Sequence, residues 1–164
     1  MFKLLSSIAV AALAITAAPA PAQAVGPDAA ACRSGRPSIL VNVKGFKNRA
    51  GKVRVQLYGS NPADFLAKGK KLRRIDIPVD SSGPMQVCIA VPRPGNYAVA
   101  VRHDADANGK SGWNDGGGFS RNPDISLTKL RPKHSQVVIA VGNGVKNIDV
   151  VLNYRRGLSI DPIV

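Results

Sequence analysis

Asp104, Asp106, Asn108 and Asp115 gather in the run His103-Asp104-Ala105-Asp106-Ala107-Asn108-Gly109-Lys110-Ser111-Gly112-Trp113-Asn114-Asp115. Asp104, Asp106 and Asn108 stand at alternate positions, and Gly109 follows at once. In a looped backbone this alternation can turn three side-chain oxygens inward, and glycine takes the sharp bend that a Cβ would resist. Counted as a calcium loop, Asp104 is position one, Asp106 three, Asn108 five and Gly109 six. Lys110 then offers its backbone carbonyl at position seven, Gly112 acts through a water at nine, and Asp115 stands at twelve. Hard cations take oxygen ligands, so the chemistry expected of this stretch is Ca2+ coordination in the weak range of extracellular modules, about 10⁻⁴ to 10⁻³ M. Two features weaken the match. Position twelve is Asp, which reaches less far than Glu, and the loop follows a strand pattern rather than a helix. The competing reading is a bare turn, because Asp, Asn and Gly are also the residues that build tight turns.

Other chemistry finds less support in the sequence. No Gly-x-Ser-x-Gly elbow accompanies the serines. His103 and Asp104 are neighbours on a strand and so point to opposite faces. His103 shares the face of Tyr97, Val99 and Val101 and reads as a structural, hydrogen-bonded histidine. His134 reads as exposed loop, and two distant histidines make a poor metal site. Glycoside chemistry needs two placed carboxylates; Asp104 and Asp115 could supply them, but a shared cation accounts for clustered acids more simply. Gly116-Gly117-Gly118 lacks the Lys-Ser/Thr of a phosphate loop. The expectation is a protein that is not an enzyme, with an envelope hydrolase or a purely structural accessory protein as alternatives.

The elements that must hold this loop read as strands. Residues 1–24 form a leader, with Lys3 at its charged start, an apolar run, and Ala22-Gln23-Ala24 as a small-x-small cleavage site. Cleavage after Ala24 predicts a periplasmic or secreted protein starting at Val25, with no transmembrane segment and about 140 residues left, the size of one domain. The chain carries 23 Lys and Arg against 10 acidic residues, all of them Asp, for a formal charge of +13. Strand patterns cover Ser38–Val43, Lys52–Tyr58, Leu72–Val79, Met85–Val91, Asn96–His103, Ser135–Val141 and Val145–Tyr154, with Asn61–Leu66 as a capped helical turn. The fold expected is all-β: a single seven-stranded β-sandwich over residues 38–156, immunoglobulin-like or transthyretin-like, with one long loop, an isolated barrel being the runner-up. Residues 25–37 are an N-terminal extension and 157–164 a tail. The long loop is Asp104–His134, in which Gly116–Gly118 reads as a permissive middle and Ile125, Leu127 and Leu130 pin the second half to the sandwich edge. Cys32 and Cys88 are the only cysteines. In an oxidising compartment the simplest outcome is a disulfide worth about 4 kcal/mol, the alternative being two separate buried thiols.

Taken together, Gly95-Asn96-Tyr97-Ala98-Val99, His103-Asp104, Asp106-Ala107-Asn108-Gly109 and Gly118-Phe119-Ser120 are similar to the signature of an exported bacterial family, domain-of-unknown-function family 2141. The resemblance runs from about Ser38 to Tyr154. It implies an exported β-rich domain and brings no activity with it. The family carries Asn where Asp106 stands and an acid where Gly112 stands, and the segment before Gly118 is shorter here. Asp104, Asp106 and Asn108 carry over as candidate ligands, and Asp115 could replace the acid lost at Gly112.

The remaining signal is charge. Lys68, Lys70, Lys71, Arg73 and Arg74 cluster in a few residues, and Arg155-Arg156 add a pair. Such a field attracts anionic surfaces. In the envelope those are lipopolysaccharide, cell-wall polymers or acidic glycans; nucleic acid is not expected there, and stacking aromatics are scarce. The competing reading is a solvated basic face that keeps the protein soluble.

Overall fold

The computed structural model describes residues 23–163. The charged start and apolar run of the expected leader lie outside the described residues. Among the described residues the chain is mostly β, with ten strands in two sheets and little helix. A short helix α1 (Ala29–Arg33) precedes β1 (Ser38–Lys44), β2 (Lys52–Tyr58), β3 (Arg73–Pro78), β4 (Met85–Ala90), β5 (Gly95–Asp104) and β6 (Gly116–Phe119). After these come the one-turn helix α2 (His134–Val137), β7 (Val138–Val141), β8 (Val145–Val151), β9 (Asn153–Arg156) and β10 (Ser159–Pro162). No described helix is long and apolar enough to cross a membrane.

The first sheet has the order β4-β1-β8, with β1 antiparallel to β4 and parallel to β8. The second runs β10-β9-β6-β5-β2-β3, and β7 also pairs with β5. One edge of β5 is thus shared end to end: Ala100–His103 meets β6, and Gly95–Ala98 meets β7. Alternation decides what each strand buries. Val41 and Val43 of β1, Val87 and Ile89 of β4, Val53, Val55 and Leu57 of β2 and Val99 and Val101 of β5 all turn into one core between the sheets, and all are at most 4% exposed. The opposite face of β5 is also covered. Ala98 and Ala100 lie under Tyr58, Val137, Phe65 and Phe119, a smaller cluster that small side chains make room for.

Each of the seven expected strands has a counterpart, but Ser135–Val137 of the expected Ser135–Val141 lie in α2, leaving Val138–Val141 as β7, and the count among the described residues is ten. The stretch Val145–Tyr154 is two strands, because the chain changes sheets at the buried Leu152: β8 pairs with β1, and β9 pairs with β6. The tail forms β10 against β9, Ser159 facing Arg156. The third extra strand, β6, lies inside the expected long loop, and its glycines are required by packing rather than permissive. A Cβ on Gly116 would fall 2.4 Å from Tyr154 Cζ, and one on Gly118 would fall 2.6 Å from the Val151 carbonyl oxygen. β-propensity ranks glycine low, so a strand that needs glycine for close approach does not announce itself.

Cys32 and Cys88 are bonded, with a Cα–Cα distance of 6.1 Å, which ties α1 to β4. Val25, the expected first residue of the mature chain, forms a parallel bridge to Val87 and so lies along β4.

Candidate functional site

The acidic loop closes a hairpin. β5 ends at Asp104, β6 begins at Gly116, and Ala100–His103 and Gly116–Phe119 pair antiparallel beneath it. The base of the hairpin is built from buried groups. His103 is fully buried, with Nδ1 2.7 Å from the Tyr154 hydroxyl and Nε2 2.7 Å from the Ala50 carbonyl oxygen. A carbonyl can only accept, so Nε2 carries a hydrogen, and Nδ1 meets the Tyr154 hydroxyl. The Lys47 amide donates to the same hydroxyl at 3.2 Å. Burial, partly opposed by that amide, pushes the Tyr154 phenol up to about 12. The expected structural histidine is found. His103 belongs to a saturated chain on the core side, with Asp104 on the other face of the strand.

Gly51 supports the loop from below. It has φ +76°, and a Cβ there would fall 2.0 Å from the Asp104 carbonyl oxygen. Past β6, the hydroxyl of the fully buried Ser120 accepts from the Val99 amide at 3.0 Å and donates to the Val137 carbonyl. Ser120 therefore pins the return segment to β5 and α2.

Above this base, one carboxylate oxygen from each of Asp104, Asp106 and Asp115 lies within 4.8 Å of the others. The three acids singled out by spacing do converge. Asp104 is 2% exposed; its Oδ2 accepts from the Gly109 amide and from Arg102 Nη2, each at 3.0 Å. The bond from position one to the amide at position six draws the loop closed. Asp104 Oδ1 is buried and has no hydrogen-bond partner. Asp115 Oδ1 accepts from the Ala105 amide at 3.1 Å and Oδ2 from the Gly112 amide at 2.8 Å. Asp106 Oδ1 accepts from the Asn108 amide at 3.2 Å, and Asn108 Oδ1 from the Lys110 amide at 2.7 Å. These are the Asx turns that the turn reading expects, so turn formation and convergence occur together. Asn108 also donates through Nδ2 to Asp106 Oδ2 at 2.5 Å, which places it beside the cluster. Ala107 and Gly109 both take positive φ, 56° and 79°.

Sequence reasoning missed Arg102. Its guanidinium neutralises one oxygen of Asp104 and reaches Ser111 Oγ at 2.9 Å. Its spacing from Asp104, two residues along a strand and on the same face, is the signal that could have identified it. Trp113 is the chain's single tryptophan. It is 71% exposed and lies under the Arg155 guanidinium, 3.3 Å from its ring centroid.

The basic cluster is less open than its sequence implies. Arg73 is paired with Asp28, Lys70 with Asp64 at 3.8 Å, and Arg74 with Asp76 at 2.6 Å. Burial alone would raise the Asp76 carboxyl, but bonds from Arg54 and Arg74 outweigh it and hold it below the usual carboxylate range. Asp28 also accepts from the Ala90 amide at 3.0 Å, so this N-cap residue of α1 ties the helix to Arg73 of β3 and to β4. Among the described residues, only Lys68 and Lys71 of the five have no ion pair. His134 likewise departs from the exposed loop expected for it: it opens α2, is half-buried, meets the Gly59 carbonyl oxygen through Nε2 at 3.0 Å, and packs edge-on to Phe65.

Fold and site together define a two-sheet β-domain that carries a cluster of converging acids on one hairpin. Residues 41–149, well over half of the chain, match the model of a family described as uncharacterized protein conserved in bacteria, DUF2141, and the protein belongs to that family. No curated protein and no solved structure matches the chain.

Proposed function

We propose that this is an exported β-sandwich whose Asp104–Asp115 loop binds calcium weakly, as a binding or interaction module of the cell envelope. One observation carries the reading. Three carboxylates converge within 4.8 Å, and one of their oxygens, Asp104 Oδ1, is buried with no hydrogen-bond partner. Burying a charged acceptor without a partner costs free energy, and like charges at this distance repel. A hard divalent cation removes both costs at once. Asp104, Asp106 and Asp115 would supply carboxylate oxygens, with Asn108 and the Lys110 carbonyl completing the set.

Export is supported by the leader pattern in the sequence and by the Cys32–Cys88 bond, which persists in oxidising compartments. The strand order favours the transthyretin-like form of the sandwich. In the immunoglobulin arrangement the first two strands lie side by side; here β1 sits between β4 and β8, and β2 belongs to the other sheet.

Calorimetric titration with calcium, together with melting in calcium and in chelator, tests the proposal. Binding heat and a higher melting temperature in calcium are expected; no heat and unchanged melting would leave only a turn. The alternative of a hydrolase using Asp104 and Asp115 is less favoured, because a shared cation accounts for the three clustered acids more simply. Screening the Asp104→Ala variant against hydrolase substrates separates the two. No specific observation favours lipopolysaccharide, cell-wall polymers or acidic glycans as partners of the basic cluster, since three of its five cations are paired.

A further inference from the structure

Beside the acidic loop lies a cleft of about 420 Å³, which shares Asp115 with the acid cluster but whose apolar walls the calcium reading does not use. Its walls are Trp113, Phe119, Leu127 and Ile160, and its polar groups include Asn153 and Arg155. The volume falls in the range of small-molecule sites, which are mostly apolar with a few placed polar groups. Arg155 is the placed cation. Its Nε–H donates to the Gly157 carbonyl at 3.0 Å, and its guanidinium lies on Trp113 at 3.3 Å. Those two contacts fix the plane of the group. Among the described residues, no acceptor is bonded to its two terminal nitrogens. A planar guanidinium held in place with its fork open is suited to take a carboxylate through two parallel bonds. Stacking on an aromatic face satisfies the ring, not the N–H groups.

We propose that this cleft binds a small amphipathic carboxylate, its anionic head on the Arg155 fork and its apolar body against Phe119, Leu127 and Ile160. The walls decide the class. A bare anion would find equivalent cations elsewhere on a chain of formal charge +13, whereas an apolar body gains only where carbon surface is concave. A neutral molecule of the same shape would leave the guanidinium unpaired and partly desolvated. Asp115 also lines the cleft, but among the described residues no ion pair joins it to Arg155, and its oxygens accept backbone amides of its own loop.

Trp113 is the chain's one tryptophan and lines this cleft, so with chelator present its emission reports on what enters there. Octanoate is the probe, with 1-octanol and acetate as controls, all titrated in chelator so that the outcome is independent of calcium binding. Octanoate is expected to change Trp113 emission saturably, with octanol and acetate each weaker by about tenfold or more. Arg155→Ala should lose a similar factor by calorimetry, and Arg155→Lys, which keeps charge without the fork, should fall between. Leu127→Asp should abolish octanoate binding while Arg155 is intact. Circular dichroism melting confirms that each variant is folded; if Arg155→Ala is not, Arg155→Lys and Leu127→Asp carry the comparison. The proposal is overturned if octanoate gives no saturable change, if octanol binds as tightly as octanoate, or if the Arg155 variants bind like the parent chain.

Discussion

Replacing Asp106 with Asn should reverse sign with calcium. Asp106 is the exposed member of the three acids, whose nearest oxygens lie within 4.8 Å of one another. At that separation two unit charges in water repel by about 0.9 kcal/mol. Asp106 takes part in two of the three pairs, so in water its charge costs about 2 kcal/mol, and about 1 kcal/mol once salt screening is allowed for. Asn keeps an Oδ1 to accept from the Asn108 amide, so the turn survives the change. In chelator, Asp106→Asn should therefore be at least as stable as the parent chain, melting about 0–3 °C higher. With calcium the order reverses. At about 10 mM ion and a dissociation constant of about 1 mM, the parent gains about 1.4 kcal/mol by mass action, or about 4 °C in melting temperature. The variant, short of one carboxylate, should gain far less. The assay is thermal melting followed by circular dichroism, in chelator, in calcium, in magnesium, and in sodium chloride of matched ionic strength. Magnesium should do little, because it demands a tighter octahedron than a flexible loop provides. If the variant is destabilised equally with and without calcium, and the parent does not respond to calcium, the carboxylates are turn formers and the reasoning fails.

Three further outcomes concern the scaffold that carries the loop. Tyr154, ordinarily near 10 and pushed to about 12, binds its proton more tightly in the fold, so its contribution is complete below pH 10 and is lost as pH rises from about 10 to about 12. That loss amounts to about 2–3 kcal/mol; Tyr154→Phe should flatten this part of the stability–pH curve and cost about 1–3 kcal/mol at pH 7 by stranding His103 Nδ1 and the Lys47 amide, as measured by denaturant unfolding. Gly118→Ala should destabilise by about 1–3 kcal/mol or more, because its Cβ would meet the Val151 carbonyl at 2.6 Å, while Gly117→Ala, whose nearest neighbour is 3.9 Å away, should be close to neutral in the same melting assay. Replacing Cys32 and Cys88 together by Ala should remove about 4 kcal/mol and lower the melting temperature by about 10 °C, and a reductant should then have no further effect on the variant.

What the sequence made legible depended on how local its cause was. Strands such as Lys52–Tyr58 announce themselves because Val53, Val55 and Leu57 alternate against Arg54 and Gln56, and the structure buries the first set. The convergence of Asp104, Asp106 and Asp115 was legible for the same reason: side chains at fixed spacing in one tight loop are brought together by the loop itself. Partnerships across the chain were not. Arg73 reads as one more cation in a run until the fold brings Asp28 to it from 45 positions away. The same holds for Gly116 and Gly118, whose lack of a side chain makes sense only once Tyr154 and Val151 arrive from β8 and β9. His134 read as loop because the Gly59 carbonyl that holds it is 75 positions distant.

The contrast between the loop and its base bears on the calcium reading. A turn that needed only to connect β5 to β6 could do so with amides and hydroxyls and no net charge. This hairpin instead places three carboxylates together, buries one of them, and holds Ala107 in a left-handed conformation that non-glycine residues adopt at a cost of about 1 kcal/mol. Beneath it, nearly every group is fixed: His103 at both ring nitrogens, Ser120 to Val99 and Val137, Gly51 against the Asp104 backbone. Rigidity below and repulsion above are a preorganised arrangement. The base keeps the acids from relaxing apart, so the ordering cost of a cation site is met at folding rather than at binding. Gly116, Gly118 and Ser120 would then act on ion affinity without touching the ion, and a chain softened at Gly118 should bind calcium more weakly even where it still folds.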